Sequence, residues 1–83
     1  MSDTLYSLFF ANEADRNLWV LRDSKRVKAN HDAGRRAATE LVDYINRTGY
    51  APALNQVVSA MAEAGQINSA IGRAFFIYLT TLF

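Results

Sequence analysis

The run AFFIYLTTLF at 74–83 is the feature that most constrains this chain, because it carries no charge and seven of its residues are large and apolar. At helical spacing these residues form two apolar stripes, which is typical of a helix covered on nearly all sides. The first stripe is Ile71, Phe75, Tyr78 and Leu82, and the second is Phe76, Leu79 and Phe83, with Ile77 also apolar. A chain of 83 residues has little else with which to surround such a helix. The first stripe is therefore expected in the chain's own core, and the second against another protein or a second subunit.

The size and composition predict a single domain over 1–83 that gains stability by association. The chain has no cysteine and one histidine, His31, so we expect no disulfide, no metal site and no cofactor. The remaining way to stabilise a small core is a second subunit, which predicts a homodimer. The cysteine-free composition and the acidic start predict a cytoplasmic protein. The apolar run is half the length of about 20 residues that a membrane span needs, so no membrane partner is expected.

Few glycines and one proline interrupt the chain, and the long spacings between them favour helices. The sequence predicts an all-α fold, a compact bundle of four to five short helices. Gly49 marks the end of one helix, while Pro52 and Gly65 flank the next. The expected helices cover about 13–29, 31–47, 52–64 and a last segment that Asn68 caps.

The segment 13–29 has two interpretations. As a helix, it is capped by Asn12 and carries acids in its first turn and cations in its last. The alternative is a β-hairpin that turns at 22–24, because the local β-propensity is high, and this would make the fold α+β. Trp19 is expected in the core, whereas an exposed tryptophan beside arginines would suit an interface.

Six of the nine basic residues fall within fifteen positions, and only Asp23 and Asp32 are acidic there. Such a segment is suited to the phosphates of a nucleic acid or to an acidic protein surface. The six are Arg22, Lys25, Arg26, Lys28, Arg35 and Arg36.

The stretch 41–65, LVDYINRTGYAPALNQVVSAMAEAG, resembles the helix-turn-helix segment of LexA-type repressors. The resemblance is carried by the corner and the aliphatic residues after it: Thr48, Gly49, Tyr50, Pro52, Leu54, Val57 and Val58. It implies a helix-turn-helix-like corner in the fold. In that family the last helix reads DNA, but here its polar groups are few, and base edges are read chiefly by Arg, Lys, Asn and Gln. A DNA-binding regulator of this type would use the basic segment 22–36 instead.

No catalytic motif appears, and the neighbouring side chains of His31 and Asp32 would point apart on a helix, so we expect no enzyme. The sequence predicts a small regulatory protein that acts by protein–protein binding. A phage or mobile-element accessory inhibitor of a host regulator or defence complex is the kind of protein expected, and a helix-turn-helix transcription regulator is the alternative. The expected interface residues are Phe76, Ile77, Leu79 and Phe83.

Overall fold

The computed structural model describes residues 5–82, and within them the chain forms three α-helices and one short 3₁₀ helix, Leu5–Ser7. Helix α1 spans Val27–Thr48, α2 spans Pro52–Glu63 and α3 spans Ala70–Leu82. No β-strand occurs in this described part of the chain. The all-α class is therefore confirmed, whereas the expected four to five helices are reduced to three because the segment before α1 is irregular.

The corner between α1 and α2 has the predicted geometry. Gly49 adopts a left-handed conformation with φ of 73°, and its N–H donates to the Ile45 carbonyl at 2.7 Å. A residue with a Cβ is strained at this φ, so glycine is the natural residue to end α1 here. Pro52 then opens α2, where the N–H that proline lacks has no helical partner.

Helix α1 begins earlier than the predicted residue 31, and the buried Asn30 is the reason. Its Oδ1 accepts from the Ser24 N–H at 2.8 Å, and its Nδ2 donates to the Ser24 carbonyl at 2.9 Å. This pair of hydrogen bonds fixes the chain as it enters the helix, so an additional turn forms before the predicted start.

The prediction of a helix over 13–29 is wrong. The chain turns back at 13–16, and Asn12 and Asn17 exchange backbone hydrogen bonds of 2.7 and 3.0 Å. The Asn12 side chain accepts from the Ala14 N–H, and the Asn17 side chain accepts from the Trp19 N–H, each at 3.0 Å. Such local bonds compete with the helix for the same backbone groups. The alternative hairpin at 22–24 is also wrong, because the reversal lies at 13–16 and forms only one isolated bridge.

A series of five aromatic rings crosses the core and joins the irregular N-terminal segment to α3. Successive ring centroids lie 5.8, 5.6, 5.2 and 5.4 Å apart, all edge to face, in the order Phe9, Phe10, Trp19, Phe75 and Phe76. Phe10, Trp19 and Phe75 are completely buried, so the prediction that Trp19 belongs to the core is confirmed. The irregular segment thus fills the place that a fourth helix was expected to take.

Helices α1 and α3 form the main helix–helix contact, and Gly34 of α1 packs directly against α3. A Cβ built on Gly34 would lie 2.6 Å from the Ala74 Cβ and 2.6 Å from the Ile71 carbonyl oxygen. Only glycine leaves room for this approach, which brings the first turns of both helices to the same side of the molecule.

Candidate binding groove between α1 and α3

A groove of about 230 Å³ lies between the first turns of α1 and the first two turns of α3, and we call it the α1/α3 groove. Helix α1 contributes Val27, Asn30 and His31 at i, i+3 and i+4, which is one face of a helix. Helix α3 contributes Ala70, Arg73, Ala74 and Ile77 by the same spacing. Most of this lining is apolar.

Two large aliphatic side chains in the α1/α3 groove face the solvent. Val27 is 81% exposed and Ile77 is 60% exposed, and they are the two most exposed large hydrophobic residues in the described chain. Single exposed aliphatic residues are common on protein surfaces. These two line one groove together with Ala70 and Ala74, so they form a local apolar patch.

Asp23 and Ser69 fix the start of α3 beside the groove. The two carboxylate oxygens of Asp23 accept from the backbone N–H groups of Ala70, at 2.8 Å, and Ile71, at 3.0 Å. The Ser69 hydroxyl accepts from the Gly72 N–H at 2.9 Å, so Ser69 is the local cap in place of the predicted Asn68. The first N–H groups of α3 are therefore all satisfied.

Asn30 links α1 to the Asp23 cap at the start of α3. Because its amide holds Ser24 by two hydrogen bonds to the backbone, the neighbouring Asp23 is held where its carboxylate reaches α3. Both walls of the α1/α3 groove are thus tied together by the short segment that precedes α1.

The four residues expected at an interface differ in their exposure to solvent. Ile77 is exposed and lines the groove. Leu79 is only 7% exposed and belongs to the chain's own core, so its assignment to the outer stripe is wrong. Phe76 is half-buried against the core and stacks edge to face on Phe75. Phe83 lies outside the described residues.

The inner stripe is correct for its first half only. Ile71 and Phe75 are buried, while Tyr78 is half-buried and Leu82 is 44% exposed. In the second half of α3, Leu79 is therefore the residue buried in the core, and Leu82 is exposed.

All six cations of the basic segment are exposed, but they differ in their partners. Arg36 donates to Glu40 at 2.6 Å and covers the Phe9 ring at 4.2 Å, so it stabilises the fold. Arg35 lies over the Tyr78 ring at 5.5 Å, and Arg22 donates to the carbonyl of Leu21. The other three, at the start of α1, form no ion pair with a described residue: Lys25, Arg26 and Lys28.

The predicted helix 13–29 placed these last cations at a helix C-terminus, where they would be favourable. They lie instead around the N-terminus of α1, the positive end of the helix dipole. Each cation placed there costs a few tenths of a kcal/mol to about 1 kcal/mol. The cations lie at a helix N-terminus and not at a C-terminus because α1 starts where the predicted helix was to end.

Sequence reasoning missed Val27 and the two alanines of the groove. Val27 stood within the expected helix 13–29, and no role was predicted for it there. Ala70 and Ala74 are small residues spaced by one turn, so they lie on the same face of α3.

Two other clefts open between the 13–17 turn and α2, and both are polar. One of them is lined by two arginines and two acids, so its charges balance: Arg16, Arg22, Asp15 and Glu63. Within residues 5–82, no three His, Asp or Glu side chains are placed to hold a metal ion. In the same range, no helix is long and apolar enough to cross a membrane.

Comparisons with known proteins give no relative: no family model, no curated protein and no solved structure matches this chain.

Proposed function

We propose that this chain is a non-enzymatic regulatory protein that works by binding another protein through the α1/α3 groove. The observation that carries the proposal is the pair Val27 and Ile77, exposed by 81% and 60% across one apolar groove. Burying such side chains in a partner gains about 1.5–3 kcal/mol for each one that becomes fully covered. The close packing of α1 on α3 at Gly34 holds together the two helices that line the groove.

The effect on the partner would be steric, because a small domain docked by one groove covers the surface that it binds. Inhibition of a host regulator or defence complex by a phage or mobile-element accessory protein is the form of regulation that we propose. This role requires only affinity for the partner and a complementary shape.

The test is capture of a partner from the native host after cross-linking, with two variants that carry the same added charge. Ile77→Asp places a carboxylate in the α1/α3 groove, and Asn55→Asp places one on the exposed side of α2. We expect the wild type and Asn55→Asp to recover the same protein and Ile77→Asp to lose it, with unchanged helical circular dichroism in all three. Equal recovery by both variants would exclude the groove as the binding surface.

DNA binding is the second candidate, because the six cations of the basic segment 22–36 are exposed, but the exposed face of α3 adds little to it. Arg73, Thr80 and Thr81 face the solvent there. However, the two threonine hydroxyls donate to carbonyls of their own helix, each at 2.7 Å, so Arg73 is the main donor left on this face. A helix that reads bases needs several such donors.

A salt-dependent mobility-shift assay separates the two candidates. DNA binding requires a shift of duplex DNA at low salt that weakens as salt is raised. It also requires that Lys25→Ala/Lys28→Ala lowers the affinity, since both ammonium groups are exposed and lack a carboxylate partner in the described chain. A wild-type chain that does not shift DNA at low salt would eliminate this candidate.

A further inference from the structure

We infer that the α1/α3 groove takes an acidic, amphipathic segment of another protein. A bulky apolar side chain of that segment lies between Val27 and Ile77, and its carboxylates face Arg73 and the start of α1. The inference rests on the proposed function and adds the chemistry of the partner.

The apolar part of the groove has room for one large side chain. An enclosed apolar cavity of about 150 Å³ binds benzene, and the α1/α3 groove offers about 230 Å³, although it is open on one side. Val27 and Ile77 form its walls, while Ala70 and Ala74 leave space between them. A leucine or phenylalanine side chain from the partner matches this volume.

The charged part of the groove has one sign. Arg73 lines it, is exposed, and forms no ion pair with any described residue. The lining contains no carboxylate. A partner carboxylate beside Arg73 would therefore meet an unpaired guanidinium and no competing acid within the groove.

The start of α1 adds further positive charge beside the groove, whereas the start of α3 does not. At the start of α3, Asp23 already supplies a carboxylate to the backbone N–H groups. At the start of α1, no side chain caps the helix, and the exposed Lys25, Arg26 and Lys28 surround it. Because Val27 is both the first residue of α1 and a wall of the groove, a segment anchored there brings its acids to this uncompensated positive end.

A second copy of this chain fits the groove poorly. In a twofold contact the same patch meets itself, so the Arg73 side chains of both copies would be brought into one interface. No carboxylate of the groove lining is available to offset this repulsion. The charges thus argue against the expected homodimer at this surface and for a partner of opposite sign.

A nucleic acid is also less suited to the groove than an acidic protein segment. Its phosphates would satisfy the cations, but the sugar–phosphate backbone offers nothing that matches the exposed Val27 and Ile77. An amphipathic protein segment satisfies both the apolar walls and the charges.

The experiment is selection from a random peptide library on the wild-type chain, with counter-selection on Ile77→Gln. We expect the recovered peptides to carry an excess of Asp and Glu around a bulky apolar residue, and to bind more weakly as salt is raised. Arg73→Gln should weaken these peptides about two- to fivefold, the size expected for an exposed ion pair. Arg16→Gln removes the same charge away from the groove and should leave them unchanged.

Three outcomes would overturn the inference. The first is recovery of peptides without an acidic excess, or of none that distinguish the wild type from Ile77→Gln. The second is a wild-type dimer in sedimentation equilibrium that Ile77→Gln dissociates, because a second copy would then occupy the groove. The third is duplex DNA that competes with the selected peptides for the groove.

The cross-linking experiment on the native partner keeps this inference separate from the proposed function. A partner that depends on Ile77 but contacts the groove through an acid-poor segment would disprove the acidic chemistry and leave the proposed function standing. A chain whose groove captures no partner would disprove the function itself.

Discussion

Asp23 lies in the most basic stretch of the chain, yet its carboxylate binds the start of α3 at Ala70, 47 positions further along the chain. Ser24, its neighbour, is held by Asn30 on α1. One acidic residue therefore connects the two helices that form the groove. Its two hydrogen bonds to backbone N–H groups and its charge at the positive end of a helix act in the same direction.

Replacing Asp23 with alanine should lower the free energy of unfolding by about 0.5–2 kcal/mol, because the N–H groups of Ala70 and Ile71 lose their acceptor. Urea denaturation followed by circular dichroism measures this loss. Asp32→Ala, on the exposed side of α1, is the matched control and should change the stability by less than about 0.5 kcal/mol. Equal effects of the two substitutions would show that Asp23 does not cap α3.

Residues with local roles could be predicted from the sequence, and residues with distant partners could not. Gly49 and Pro52 act on their own turn, so their types alone predicted the corner. The cap by Asp23 depends on how the segment before α1 meets α3, which no local pattern encodes. Leu79 was assigned to the wrong side for the same reason, because an all-apolar helix does not show which face turns inward.

At the scale of elements, the helices with clear end signals were predicted closely. Helix α2 was expected over 52–64 and spans Pro52–Glu63. The segment 13–29 failed because two asparagines satisfy backbone groups locally and Arg16 adopts a left-handed φ of 50°, which ends any helix there. Its buried residues, Leu18 and Trp19, are adjacent in sequence, a pattern that fits neither one helix face nor one strand face.

Because α1 packs closely against α3, replacing a glycine inside α1 with alanine should destabilise the fold, although such a change usually stabilises a helix. Gly34→Ala should gain helix propensity of up to about 1 kcal/mol, yet we expect a net loss of about 1–3 kcal/mol. The added Cβ would lie 2.6 Å from both the Ala74 Cβ and the Ile71 carbonyl oxygen, so the helices must separate. Chemical denaturation of the variant measures the change.

The double variant Gly34→Ala/Ala74→Gly is the control for this steric explanation. It removes the Cβ of Ala74 but leaves the backbone of Ile71 and Phe75 in place. The double variant should therefore regain only part of the stability lost in Gly34→Ala, and the new glycine in α3 lowers that gain further. A Gly34→Ala variant as stable as the wild type would show that the two helices do not pack this closely.

The whole molecule is built on a core that the irregular N-terminal segment helps to fill. Phe10 and Trp19 are completely buried between the helices, although neither lies in regular secondary structure. The chain therefore covers α3 with its own N-terminal segment to a greater degree than the apolar pattern suggested. Ile77 was identified in advance, but the groove as a whole was not, because Val27 joins it only when α1 starts at this residue.

Phe10→Ala should remove about 3–5 kcal/mol from the free energy of unfolding, since it deletes the ring between Phe9 and Trp19. For a small domain this is a large part of the total stability. If the core is one unit, amide exchange should accelerate in the helices as well as in the N-terminal segment.

Phe9→Ala is the comparison for this experiment, because Phe9 is half-buried at the end of the ring series and should cost less. Faster exchange confined to the N-terminal segment in Phe10→Ala would show that the helices form a core without it.

The position of Trp19 has a practical consequence. It is the only tryptophan of the chain, it is completely buried, and its ring lies against Phe75 of α3. Its ring also packs edge to face on Phe10, so the excited state of the native protein meets an apolar surrounding. The fluorescence emission of the folded chain should therefore lie at short wavelength and move to longer wavelength whenever α3 leaves the core. The chain thus carries its own optical reporter, without any label, for each of the substitutions above that acts on α3.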